Sequence, residues 1–153
     1  MGQNTQLAYR NYSDAFVASF SKNQTLNWIK TISSSKHEWA KGLCVTNGKI
    51  YASSEFNDSA FVAFENNKMF RSKGIYDVYI AELNEQGEIV NKALIQGKGE
   101  DGVNKLFIYE NYFYTCGWTY DTAYFYNQKS ISNGEGDLYI WKCKLNEVFK
   151  NSK

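Results

Sequence analysis

Apolar and polar residues alternate in short runs along this chain, and no stretch sustains an apolar period of 3.6 residues. The pattern predicts strands and almost no helix. Residues 42–46 form a small-residue apolar run that ends at Asn47-Gly48, the pair that favours a two-residue hairpin turn. Residues 49–53 follow as the partner strand. After a long connection, 76–83 alternates, turns at 84–87, and continues as 88–95. The same reading gives strands at 13–20, 26–32, 104–109, 112–117 and 137–145, nine in all. The short runs at 59–64 and 122–126 are candidates for an extra strand inside each long connection.

A repeat underlies the pattern. Asp14-Ala-Phe-Val-Ala18 recurs as Asp77-Val-Tyr-Ile-Ala81 and again as Asp137-Leu-Tyr-Ile-Trp141, at steps of 63 and 60 residues. At the offset of 63, Ile32 falls on Ile95, Leu43 on Leu106, Val45 on Ile108, Ile50 on Phe113 and Tyr51 on Tyr114. Identities are few, and apolar character carries the match. The chain therefore divides into one domain of repeats, at 13–75, 76–135 and a partial third at 136–147. Short strands at about 60 residues per four-strand unit fit antiparallel propeller-type blades, about two to two and a half of them.

These residues resemble the bacterial seven-bladed β-propeller repeat. Ser13-Asp-Ala-Phe-Val-Ala18 is similar to that family's Asp-Ala-Phe-Val-Ala strand. Gln96-Gly-Lys-Gly-Glu-Asp101 resembles its Gly-rich turn, and Tyr114-Thr-Cys-Gly-Trp-Thr119 its Tyr-x-x-Gly-x-Thr strand end. The first copy is degraded at both later motifs, and the family's Phe-Pro is missing. The resemblance implies an architecture and little about chemistry. By analogy with propeller strand order, the chain holds strands three and four of one blade, a whole blade, and three strands of another. Such a set does not close a ring alone. It implies self-association or neighbouring blades of a longer parent.

Turn chemistry points the same way. An Asp before a strand can accept backbone N–H bonds, so Asp14, Asp77 and Asp137 read as locks on the entering turn. Gly97 and Gly99 are expected to supply positive φ, and Gly117 a close backbone approach.

Propeller geometry sorts the connections onto two ends. The short turns 47–48, 84–87 and 110–111 lie at one end, and the long connections 33–41, 54–75, 96–103 and 118–136 at the other. Binding usually resides on long loops carried by a rigid scaffold. That end gathers His37, Glu38, Trp39, Glu55, Asn57, Asp58, Glu100, Asp101, Trp118, Tyr120 and Asp121. An aromatic platform beside a carboxylate suits a sugar ring, so the expected ligand-contacting residues are Trp39, Glu55, Asp58, Trp118, Tyr120 and Asp121. Against these stand structural readings: Trp118 as packing between neighbouring blades, His37 as a solvated loop residue, and Glu100-Asp101 as a turn cap. Paired carboxylates among Glu55, Asp58 and Asp121 leave a glycan hydrolase or lyase as the alternative to a non-catalytic binding or scaffold module for a glycan or protein.

Composition narrows the classes further. The chain has 153 residues and a net charge of +1 without a basic run, which disfavours nucleic acid. Residues 1–75 carry +4 and residues 76–153 carry −3. No apolar run reaches the length of a membrane span, and the polar N-terminus has no signal-peptide core. The compartment is therefore cytoplasmic or that of a surface or secreted parent. Cys44, Cys116 and Cys143 lack the spacing of a zinc site or a disulfide framework and read as buried thiols. No metal or cofactor is expected.

Overall fold

The computed structural model describes residues 12–34, 36–62, 68–125 and 128–150. The fold is all-β and antiparallel. It runs β1 (Ala15–Phe20), β2 (Leu26–Ser33), β3 (Glu38–Thr46), β4 (Lys49–Val62), β5 (Lys68–Leu83) and β6 (Ile89–Gly97). Then come β7 (Asp101–Tyr109), β8 (Tyr112–Thr119), β9 (Thr122–Phe125), β10 (Gln128–Ile131) and β11 (Asp137–Lys144). One turn of helix, α1 (Leu145–Val148), closes the described chain.

The strands form three stacked units. The central one is the meander β3-β4-β5-β6. The hairpin β1-β2 makes the first, and the three-stranded sheet β7-β8-β11 the third. One core lies between the central and third units, with Tyr51, Val78 and Ile80 against Val103, Leu106, Phe113 and Trp141. The other lies between the first and central units, with Ala15 and Ile32 against Phe56, Tyr79 and Leu83. Successive residues of β5 thus serve opposite cores. A strand buried on both faces has no polar face to present, which is why Val78-Tyr-Ile-Ala81 is uniformly apolar.

The pairing register repeats with the sequence. Ala15 pairs Ile32 as Val78 pairs Ile95, and the series runs to Phe20 with Leu26 and Leu83 with Ile89, each bulged before its last pair. Likewise Glu38 pairs Phe56 as Asp101 pairs Thr119, and Thr46 pairs Lys49 as Tyr109 pairs Tyr112. Side chains alternate faces with a period of two, so conserving register conserves which residues face which neighbour.

The long connections differ from expectation. Residues 54–62 and 68–75 are strand rather than loop, because β4 and β5 stay paired past a bulge at Asn57/Ser59. Beyond it the strand changes partner, and Ile32 pairs Val62 as Ile95 pairs Phe125. The extra strands read at 59–64 and 122–126 are therefore present where described. Residues 63, 64 and 126 of those runs lie outside the described residues, as does 4–11 of the N-terminal segment.

Gly97 and Gly99 lack the positive φ expected of them. Their need is space: a Cβ would lie 2.0 Å from the Thr122 carbonyl oxygen at Gly97, and 2.2 Å from that of Tyr120 at Gly99. Gly117 does permit a close approach, to the Gly102 carbonyl at 2.0 Å from its virtual Cβ. The three cysteines are free and half-buried rather than fully buried.

Candidate functional site

The end of the molecule that carries the partner-changing strands holds an open row of rings. β3 starts at Glu38, so Trp39 is a strand residue rather than a loop residue. Its indole stacks on the His37 imidazole at 5.7 Å and 11°, and lies 5.0 Å from the Tyr76 ring. Tyr12 meets the other side of His37 edge-on at 4.9 Å. His37 lies in the loop just before β3, as expected, but is not freely solvated there. It is half-buried between two rings, with Nδ1 3.0 Å from Ser13 Oγ. Lys41 Nζ sits 5.8 Å from the Trp39 ring and 3.2 Å from Glu55 Oε2. Tyr12 and Trp39 are exposed, and His37 and Tyr76 half-exposed. All four rings are at least partly open to water; Trp39 and Tyr76 sit on strands β3 and β5, and Tyr12 and His37 on the chain just before β1 and β3.

A second ring pair lies across the Glu100 backbone. Tyr76 bridges to Glu100, and Tyr120 N–H donates to the Glu100 carbonyl at 2.9 Å. Trp118 and Tyr120 meet edge-on at 5.7 Å. Trp118 is half-buried over Gly102, where a Cβ would fall 2.2 Å from the indole, and its cross-strand partner is Leu138. It therefore belongs to the outer face of the third unit, with Tyr120 exposed beside it.

The carboxylates separate by role. Glu55 is 1% exposed, accepts the Val103 N–H at 2.9 Å through Oε1, and pairs with Lys41 through Oε2. It ties the central unit to the third. Asp58 and Asp121 are exposed and occupy the same repeat position with φ of 60° and 65°. An aspartate tolerates that left-handed conformation where larger residues resist it. Asp58 N–H donates to Ser72 Oγ, and Asp121 Oδ1 accepts from Thr122 Oγ1.

Buried acids hold this end together. Asp77 accepts N–H bonds from Lys73 and Gly97 and one from Gln96 Nε2, whereas its exposed repeat equivalent Asp137 accepts only from Asn133 N–H among the bonds described. Asp101 accepts from Thr119 Oγ1 at 2.6 Å, and Glu38, its repeat equivalent, from Ser34 Oγ. Burial pushes the Glu38 carboxyl up to about 7 and the Asp101 carboxyl up to about 6, against the lowering effect of those hydroxyls. Among the described residues, no group of three His, Cys, Asp or Glu could hold a metal ion, and no helix is long and apolar enough to cross a membrane.

Sequence reasoning missed the opposite end. A cleft of about 810 Å³ opens among the short turns, lined by Lys49, Tyr51, Glu82, Asn91, Tyr112 and Phe149 with the residues around them. Lys49 Nζ lies 2.5 Å from Glu82 Oε1, and Asn91 Nδ2 donates to Glu82 Oε2 at 2.9 Å. Burial, then the Glu82 charge, pushes the Tyr51 phenol up to about 12. One wall is α1 and the turn after it, pinned by Leu145 N–H to the Asn111 carbonyl and by the Tyr51–Phe149 stack. Nothing in the pattern of 145–150 signals that it folds back; only Val148, 2% exposed, makes the packing visible.

The chain matches no protein-family model and no curated protein sequence.

Proposed function

We propose that this chain is a non-catalytic β-propeller-type binding module that holds a glycan against the aromatic row Tyr12–His37–Trp39–Tyr76. The observation that carries the reading is the row itself. Four rings within stacking distance of one another stay partly open to water at a strand-braced end of the molecule. A sugar presents an apolar C–H face that such rings can cover, and hydroxyls that polar neighbours can bond. Lys41 is the polar group at hand beside Trp39.

The blade-like order supports the same reading. The central meander β3-β4-β5-β6 has the strand succession of a propeller blade, and the third unit repeats its first three strands in register. A hydrolytic reading needs two carboxylates on one substrate. Glu55 is engaged by Val103 and Lys41, while Asp58 and Asp121 hold equivalent left-handed backbone positions in successive units.

A glycan-array screen followed by calorimetric titration tests the proposal. The expected result is binding to a defined set of oligosaccharides that Trp39→Ala weakens at least tenfold, with unfolding little changed. Absence of binding across the array, or binding that Trp39→Ala leaves intact, overturns it.

A further inference from the structure

The repeat allows each position to be compared with itself in a different setting. Val78 and Ile80 face the third unit and are fully buried, at 0% exposure. Their equivalents in the third unit, Leu138 and Ile140, are 85% and 84% exposed. Toward the other end, Leu106 is 1% exposed, and its equivalent Leu43 is 62% exposed. Residue type is apolar in every case. What changes is whether a neighbouring unit lies on that face.

The two bare surfaces are complementary in kind. The outer face of the third unit carries Leu138, Ile140 and the stacked pair Phe107–Tyr114. It corresponds to the central-unit face that carries Val78, Ile80, Cys44 and Tyr51. Inside the chain, that face is covered by a unit whose near side holds Leu106 and Ile108. The equivalents of those two are Leu43 and Val45, bare on the other side of the central unit, and Phe16 and Phe20 of β1 are exposed on the first unit. The chain thus exposes, at opposite ends, apolar residues equivalent to both sides of a contact it already makes internally, with the rest of the Leu43/Val45 side covered by β1 and β2 at Tyr79, Ala81 and Leu83. Its halves also carry opposite net charge, +4 for 1–75 and −3 for 76–153.

We infer that a second copy of this chain docks head to tail, with the Leu138/Ile140 face of one copy seated on the Leu43/Val45 and Phe16/Phe20 face of the next. The contact is heterologous. It yields a ring if the rotation closes and a filament if it does not. The inference is independent of glycan binding, because Trp39 and Tyr76 are not part of either apolar face.

Light scattering with size separation tests it on the intact chain. The wild-type chain is expected to form species of at least twice its mass, growing with concentration. Ile140→Asp and Leu43→Asp, each on a single face, are each expected to stop growth at the monomer with unchanged circular dichroism. Mixed together, the two variants still own one good face apiece and should form a single capped 1:1 dimer. Should Ile140→Asp unfold, Leu138→Lys on the same strand replaces it. A wild-type chain that stays monomeric at high concentration overturns the inference. So does assembly that both single-face variants retain, or a mixture of the two that stays monomeric.

Discussion

Asp77 and Asp137 hold the same repeat position, but their surroundings set different energies. Asp77 is fully buried and accepts three hydrogen bonds, two of them from backbone N–H groups. Asp137 is exposed, and its bond from Asn133 N–H can be replaced by water. Asp77→Ala is therefore expected to cost about 2–4 kcal/mol, and Asp137→Ala less than about 1 kcal/mol, by urea unfolding. Equal costs would show that the locks do not depend on burial. The raised carboxyls of Glu38 and Asp101 give a pH dependence with a definite sign. The folded state binds protons that the unfolded chain, with ordinary carboxyls near 4, releases. Their contribution is thus fully present below about pH 4 and is lost as pH rises toward 7. Glu38→Gln should flatten this slope and raise stability at pH 8 by about 1–3 kcal/mol, since the amide oxygen can still accept from Ser34. A variant with the wild-type slope would contradict the assigned burial. The sequence showed that an acid precedes each repeated strand. It did not show which acid is buried, because that depends on whether a neighbouring unit covers the turn.

At the scale of elements, alternation and turn chemistry were enough to place all nine strands, because most have at least one face against a core. The two-residue turn Asn47-Gly48 has φ of 50° and 70°, as its sequence demands. Glu110-Asn111 takes the same shape at the same repeat position, with φ of 47° and 63°, although Glu is poorly suited to it. Replacing this pair through Glu110→Asn with Asn111→Gly should stabilise the chain by about 0.5–1 kcal/mol, while Gly48→Ala should cost a similar amount. Thermal unfolding of both variants checks the pair, and opposite signs are required. The run from residue 59 was legible as a candidate strand, but the early part of β5, Lys68 to Ile75, was not. Segments such as Arg71-Ser-Lys-Gly74 show no apolar alternation; Arg71 pairs with Ser59, and side chains hold the next residues at the bulge, with Ser72 Oγ accepting from Asp58 N–H and Asp77 from Lys73 N–H. A bulge also breaks the period of two on which strand reading relies.

For the whole molecule, the repeat predicted stacked units but could not say which end of them offers a site. Trp39 and Tyr120 were legible as exposed aromatics. Tyr12 and Tyr76 were not, since Tyr12 reaches His37, and Tyr76 reaches Trp39, only once the fold brings distant segments to the start of β3. The short-turn cleft needs the fold-back of α1 and was invisible for the same reason. Four indoles report on these regions separately. Trp39 lies in the aromatic row, Trp118 on the outer face of the third unit, and Trp141 in the core. Trp28 packs over Gly87 and donates to the Glu85 carbonyl at the short-turn end. The most direct measurement is the movement of their four indole N–H resonances as an array-selected oligosaccharide is titrated in. The Trp39 signal is predicted to shift and saturate while those of Trp28 and Trp141 stay in place. Saturating shifts of Trp28 with Trp39 unmoved, or no indole shift at saturating sugar, would contradict the assignment of glycan binding to the aromatic row.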